Sequence, residues 1–185
     1  MPELACTPAQ TVGPFFHCVL PYPGDNRLVD EAHTGAVRLH GTVYDGAGAG
    51  IPDALVELWQ PGPDGRVVQQ TGSLRRDGAA FTGWGRCATD AAGGYGFTTL
   101  RPGPPSTGRA AFFAITVFAR GLLNRLFTRA YLPDENLAAE PLLSTLDAAR
   151  RNTLVCAADA GGYRFDIRLQ GERETAFLGY YGDPG

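Results

Sequence analysis

Between Tyr163 and Gln170 the chain alternates without a break. Tyr163, Phe165, Ile167 and Leu169 take every second place, and Arg164, Asp166, Arg168 and Gln170 fill the places between. A period of two sets all four apolar side chains on one face of an extended strand, whereas a helix would scatter them around its axis. The same period runs through Val37, Leu39, Gly41 and Val43, which alternate with Arg38, His40, Thr42 and Tyr44. Ala54–Trp59, Tyr95–Leu100 and the nearly continuous apolar run Ala111–Phe118 read as further strands, the last a central one buried on both faces. Turn formers separate them: Asp45-Gly46-Ala47-Gly48-Ala49-Gly50, Gln60-Pro61-Gly62-Pro63-Asp64-Gly65 and Asp90-Ala91-Ala92-Gly93-Gly94. The first of these is hairpin-like, which predicts Val37–Tyr44 and Ala54–Trp59 in one sheet. With 25 Gly and 14 Pro in 185 residues, short elements joined by tight turns are favoured over a helical bundle.

Other segments read differently. Pro141, then Leu142, Leu143, Leu146 and Ala149 on one face and Arg150-Arg151 at the end, predict an amphipathic helix of about three turns. Arg66–Trp84 is polar and Gly-interrupted and reads as a long surface loop; Gly121–Phe127 fits a helical turn or a strand. Pro2, Pro8, Pro14, Pro21 and Pro23 predict an extended N-terminal arm with Phe15-Phe16 as its apolar anchor, lying on its own core or reaching a partner. The expected fold is mainly β: an antiparallel β-sandwich with an extended arm and one or two short helices. The arm spans residues 1–35 and a single sandwich domain spans 36–185.

A net charge of −3, with all 16 basic residues Arg, shows no basic face for nucleic acid. No apolar run is long enough for a membrane span, and the first residues lack a basic-then-apolar leader, so a soluble, cytoplasmic protein is expected. Cys6, Cys18, Cys87 and Cys156 have no close-paired spacing and read as reduced thiols. His17, His33 and His40 show no ligand-like spacing, and His40 sits on a polar strand face. The carboxylates Asp134-Glu135, Glu172 and Glu174 read as solvated surface. No phosphate loop or nucleophile elbow is present. From these residues alone no reaction follows.

Longer strings are more specific. Ala54-Leu55-Val56-Glu57-Leu58-Trp59-Gln60, Asp64-Gly65-Arg66, Gly85-Arg86-Cys87-Ala88-Thr89-Asp90, Gly94-Tyr95-Gly96-Phe97, Arg101-Pro102-Gly103-Pro104 and Phe127-Thr128-Arg129-Ala130-Tyr131-Leu132 follow in that order. In order and spacing they resemble the intradiol ring-cleaving dioxygenases. Thr7–Phe16, Phe118–Leu123 and Tyr163–Glu172 resemble the iron-free chain of those members that are built from two homologous subunits.

The resemblance implies a non-haem Fe(III) held by two Tyr and two His, hard donors suited to the ferric ion. The motif positions for those ligands carry Val67, Pro105, Phe112 and Ala114 here. By resemblance, then, this chain binds no metal and contributes no catalytic residue of its own. The Fe(III) belongs to a homologous beta subunit in a hetero-oligomer that opens the ring of 3,4-dihydroxybenzoate. The implied substrate-binding residues are Thr11, Gly13, Pro14 and Phe15 of the arm, where Phe15 stands for a common Tyr, together with Arg129, whose planar guanidinium suits a carboxylate. Two rivals are a stand-alone β-sandwich binding module that kept the scaffold without the activity, and a metalloenzyme using His17, His33 or His40.

Overall fold

A computed structural model describes residues 7–68, 80–133 and 136–179. Within them α1 (Phe16–Val19) precedes β1 (Ala36–Tyr44), β2 (Leu55–Trp59), β3 (Trp84–Ala88), β4 (Gly94–Leu100), β5 (Phe112–Phe118) and β6 (Leu126–Tyr131). A 3₁₀ turn at Leu137–Ala139, α2 (Pro141–Ser144) and α3 (Ala148–Asn152) follow, then β7 (Ala157–Asp159), β8 (Gly162–Arg164) and β9 (Ile167–Arg168). The strands form two sheets, β4-β1-β8-β7 with β9 also on β1, and β3-β2-β5-β6. This is the expected β-sandwich. Leu39, Val43 and Phe97 from one sheet meet Val56, Leu58, Phe113, Ile115 and Val117 from the other in the core.

β1 and β2 belong to different sheets, contrary to the hairpin reading. The glycine turn closes on itself instead: the Asp45 carboxylate accepts from the backbone N–H of Ala47 and Ala49, and Ile51 N–H donates back to Val43. The chain then crosses the core to start β2. β5 is central, between β2 and β6, but only one of its faces is fully buried. Phe113, Ile115 and Val117 are at most 1% exposed, while Phe112, Ala114 and Phe118 are half-buried. Its unbroken apolarity reflects partial cover from other segments on its outer face.

The alternation at Tyr163–Gln170 builds two strands rather than one. β8 and β9 both run parallel to β1 in one register, with Phe165 and Asp166 between them. At Gly41 the backbones come so close that a Cβ would collide with the Phe165 carbonyl. That carbonyl accepts from the buried Tyr95 hydroxyl at 2.6 Å, and the Asp166 carboxylate takes over the ladder by accepting from Thr42 N–H at 3.1 Å. Side-chain alternation survives the interruption, since Phe165, Ile167 and Leu169 are all buried.

The helix expected from Pro141 is also divided. α2 ends at Ser144, with Thr145 as its C-cap, and α3 restarts because the Asp147 side chain caps it by accepting from Arg150 N–H. Leu143 is buried, but Ala149 is exposed and leaves the apolar face. β3 was not anticipated. Trp84 belongs to it rather than to the Arg66–Trp84 loop, of which 69–79 lies outside the described residues, as do Pro2, Cys6, Asp134 and Glu135. Gly121–Phe127 is a turn that enters β6. Asp25 to Val29 is built into the sandwich: Leu28 and Val29 are buried, Leu28 N–H donates to Thr98 and Arg86 N–H donates to Asp25. Among the described residues no helix is long and apolar enough to cross a membrane.

Candidate functional site

The outer face of the β3-β2-β5-β6 sheet carries the functional candidates. Antiparallel partners directly opposite share a face, so the register sets out the side chains in rows. One row runs Trp84, Trp59, Ala114, Arg129; the next runs Arg86, Glu57, Thr116, Phe127; Phe112 sits beside Tyr131 on the other side of the first row. Arg129 lies over the Phe112 ring at 4.2 Å and donates to the Tyr131 hydroxyl at 3.3 Å. Phe112 and Tyr131 are themselves in contact, with ring centroids 5.5 Å apart.

Phe112 and Tyr131 join Leu142, Leu143 and Leu146 in a second, smaller apolar cluster under α2. Beside it lies a buried pair that sequence reading missed. The Glu140 side chain is 0% exposed and accepts from Arg109 Nη2 at 2.8 Å, Arg109 Nε at 3.1 Å and Ala110 N–H at 3.1 Å. Burial pushes the Glu140 carboxyl up, but the Arg109 and Ala110 hydrogen bonds and the guanidinium charge outweigh it, leaving its pKa below the ordinary value. The available signal was a Glu immediately before Pro-Leu-Leu, where it caps α2 by accepting from Leu142 N–H. Burial likewise pushes the Tyr131 hydroxyl up, only partly countered by Arg129.

Of the four positions matched to iron ligands, two lie on this face, and the other two follow turns just beyond the Trp59 end of β2. Phe112 and Ala114 are on β5, and Ala114 stands opposite Trp59. The turn before Val67 and the turn before Pro105 touch through Gly103 N–H, which donates to Gly62. Val67 is 74% exposed. None of Val67, Pro105, Phe112 and Ala114 has a side-chain oxygen, nitrogen or sulfur to give a metal, and the Phe112 ring packs against both Arg129 and Tyr131. These residues do not fit an Fe(III) ion, whose hard charge needs phenolate, carboxylate or imidazole donors. Among the described residues no three His, Cys, Asp or Glu side chains come together as a metal site.

The arm lies at the opposite end of the same face. Thr11 Oγ1 accepts from Gly121 N–H at 2.7 Å, the Phe16 ring packs on Phe118 at 5.3 Å, and Arg86 Nη1 donates to the Leu20 carbonyl at 3.2 Å. Gly13, Pro14 and Phe15 project into solvent between the first two contacts, and Phe15 is 72% exposed. The arm thus brings Thr11, Gly13, Pro14 and Phe15 together but does not bring them to Arg129. Phe118 is four residues along β5 from Ala114, which faces Arg129, a separation of about 13 Å.

Of the histidines, His40 is half-buried and contacts Asp159 at 3.0 Å, so it is not a free surface group. His33 accepts from Gly35 N–H, and His17 lies in α1. Glu172 and Glu174 are exposed. Cys18, Cys87 and Cys156 are free thiols, and burial pushes Cys156 up to about 12.

Residues 13–171 match the protein family described as Dioxygenase. The chain is 37% identical over 197 aligned residues to the protocatechuate 3,4-dioxygenase alpha chain of Burkholderia cepacia, covering 96% of this chain and 99% of that one. It is also 33% identical over 153 residues to the beta chain named for the same enzyme and organism, covering 73% of this chain and 64% of that one. Among solved structures it resembles the dioxygenase domain of a dioxygenase carbohydrate-binding protein fusion from Streptomyces sp. SirexAA-E. That match has a TM-score of 0.56 at 25% identity and covers 92% of this chain and 99% of the other. With the sandwich, the ordered motifs and these relatives in agreement, the chain belongs to the intradiol ring-cleaving dioxygenase family.

Proposed function

We propose that the chain is the alpha subunit of a protocatechuate 3,4-dioxygenase and works in a hetero-oligomer with a homologous beta subunit that holds the Fe(III). The assembled enzyme adds both atoms of O2 to 3,4-dihydroxybenzoate and opens its ring to 3-carboxy-cis,cis-muconate, a step of aromatic catabolism in the cytoplasm. The observation that carries this reading is the survival of the family scaffold around four positions, Val67, Pro105, Phe112 and Ala114, that have no donor for the metal. The chain contributes by position rather than by chemistry.

In this reading the arm is the active part. Thr11, Gly13, Pro14 and Phe15 form one wall of the partner's substrate pocket, and the exposure of Gly13 to Phe15 supports that role. Phe15 offers its ring but no hydroxyl. Arg129 is proposed as a carboxylate-holding group on this chain's own sheet face; among the described residues no carboxylate is paired with it.

The test is co-expression with a family member that carries both Tyr and both His, followed by O2 uptake with 3,4-dihydroxybenzoate. The pair is expected to turn over and to show the visible colour of tyrosinate-bound Fe(III). A chain that stays soluble alone, binds no such partner and adds nothing to its turnover is a stand-alone binding module instead, and the proposal fails.

A further inference from the structure

We infer that Arg86 is the positioning residue of the arm, a clasp that joins the sheet to the backbone at Leu20 and so sets how Gly13, Pro14 and Phe15 are presented. The inference rests on the proposal that the arm forms a wall of the partner's pocket.

Arg86 is used in four directions. Its Nε and Nη2 donate to Glu57 Oε1 at 3.2 and 2.7 Å, its Nη1 donates to the Leu20 carbonyl, and its guanidinium lies 5.2 Å from the Trp84 ring. Its backbone N–H donates to the Asp25 carbonyl at 2.9 Å. Side chain and main chain of one residue therefore pin both ends of the stretch from Leu20 to Asp25 to β3. The Arg86 and Glu57 side chains are 18% and 16% exposed, so the pair is shielded from water and held in one geometry.

What the clasp holds is short and leads directly to Phe15. From Leu20 the chain passes back through α1, whose Val19 N–H donates to the Phe15 carbonyl at 2.9 Å, and Phe16 N–H donates to Gly13 at 3.2 Å. The Phe16–Phe118 contact ties the same side of the loop to β5, and the Thr11–Gly121 hydrogen bond fixes the other side. An exposed aromatic ring at the tip of a segment tied at three points is held ready for a partner rather than left to search for one. Lysine cannot replace the arrangement, because it lacks the planar fork that serves Glu57 and Leu20 together.

The experiment uses the co-expressed complex and compares Arg86→Ala, Arg86→Lys, Phe15→Ala and the double variant Arg86→Ala with Phe15→Ala. Arg86→Ala is expected to raise KM for 3,4-dihydroxybenzoate about tenfold with kcat little changed, because an ångström of displacement in a pocket wall is enough for that. Arg86→Lys falls between the two. In the Phe15→Ala background, Arg86→Ala adds no further rise, since its effect passes through that side chain. An unchanged KM in Arg86→Ala, or an equal rise with and without Phe15, overturns the clasp. If Arg86→Ala does not assemble, Arg86→Lys carries the same comparison. Chymotrypsin cleavage after Phe15 and Phe16 is followed on the same samples and is expected to quicken in the Arg86 variants. A wild-type complex without turnover refutes the functional reading instead. The cleavage rates then decide the clasp alone, and an unchanged rate overturns it.

Discussion

Removing the Arg109 side chain tests the electrostatics of the second apolar cluster. Glu140 is 0% exposed on its side chain and Arg109 is 36% exposed. Breaking a fully buried ion pair by deleting one partner costs about 3–5 kcal/mol. Roughly half of that is expected here, about 2 kcal/mol, because water reaches Arg109 and Ala110 N–H still donates to the carboxylate. The pH dependence gives the sharper signature. In the native chain the Glu140 pKa lies below its ordinary 4.5, so its stabilising contribution is present above the unfolded pKa and is lost as pH falls through the folded one. In Arg109→Ala, burial is left as the dominant influence and the folded pKa rises above the unfolded value. The penalty then applies at neutral pH and fades as acid protonates the carboxyl. Urea unfolding of both forms, at one fixed protein concentration, is expected to show a gap of about 2 kcal/mol near neutral pH that narrows to under about 1 kcal/mol toward pH 4. A gap that is independent of pH, or that widens in acid, refutes the reasoning.

Three further outcomes follow from the fold and the site. Gly41→Ala drives a methyl group into the Phe165 carbonyl and is expected to cost about 3 kcal/mol or more, read as loss of soluble chain or a lower urea midpoint. Tyr95→Phe leaves the Phe165 carbonyl without its 2.6 Å donor and is expected to cost about 1–3 kcal/mol by the same measurement. Phe15→Ala and Arg129→Gln act near opposite ends of β5, whose Ala114 and Phe118 lie about 13 Å apart, so their effects on kcat/KM of the complex should add to within about 0.5 kcal/mol; strong coupling would place both at one substrate.

The sequence made the strands legible where side-chain period and exposure coincide, as in β1 and β4. It hid β3, because Gly85 and Arg86 interrupt the apolar pattern. Their reasons lie far away in the chain: a Cβ on Gly85 would meet Leu28, and Arg86 reaches Leu20 and Glu57. The turn after β1 contains all the residues of a hairpin, but it closes on the Asp45 carboxylate and the chain crosses to the other sheet. The break between β8 and β9 depends on Gly41 and Tyr95, more than 60 residues upstream. Local pattern therefore identifies elements, and long-range backbone contacts decide how they are joined.

The site was legible in a different way. The four positions without donors are visible from motif spacing, and two of them, Phe112 and Ala114, share one face of β5. The prolines mark the arm and the Phe pair its apolar anchor, although only Phe16 of the pair packs on the sheet while Phe15 is exposed. The Glu140–Arg109 pair is not legible, because a lone Glu before a Pro looks like solvated surface until the fold closes over it. Nor was the separation of Arg129 from the arm visible, since it depends on which end of β5 each one meets.

The most direct measurement is the iron content of this chain, purified alone and again after separation from the co-expressed complex, set against that of its partner. The chain is expected to carry no stoichiometric iron in either preparation while the partner carries about one ion per chain. Stoichiometric iron on this chain, held without Val67, Pro105, Phe112 or Ala114 supplying a donor, would contradict it.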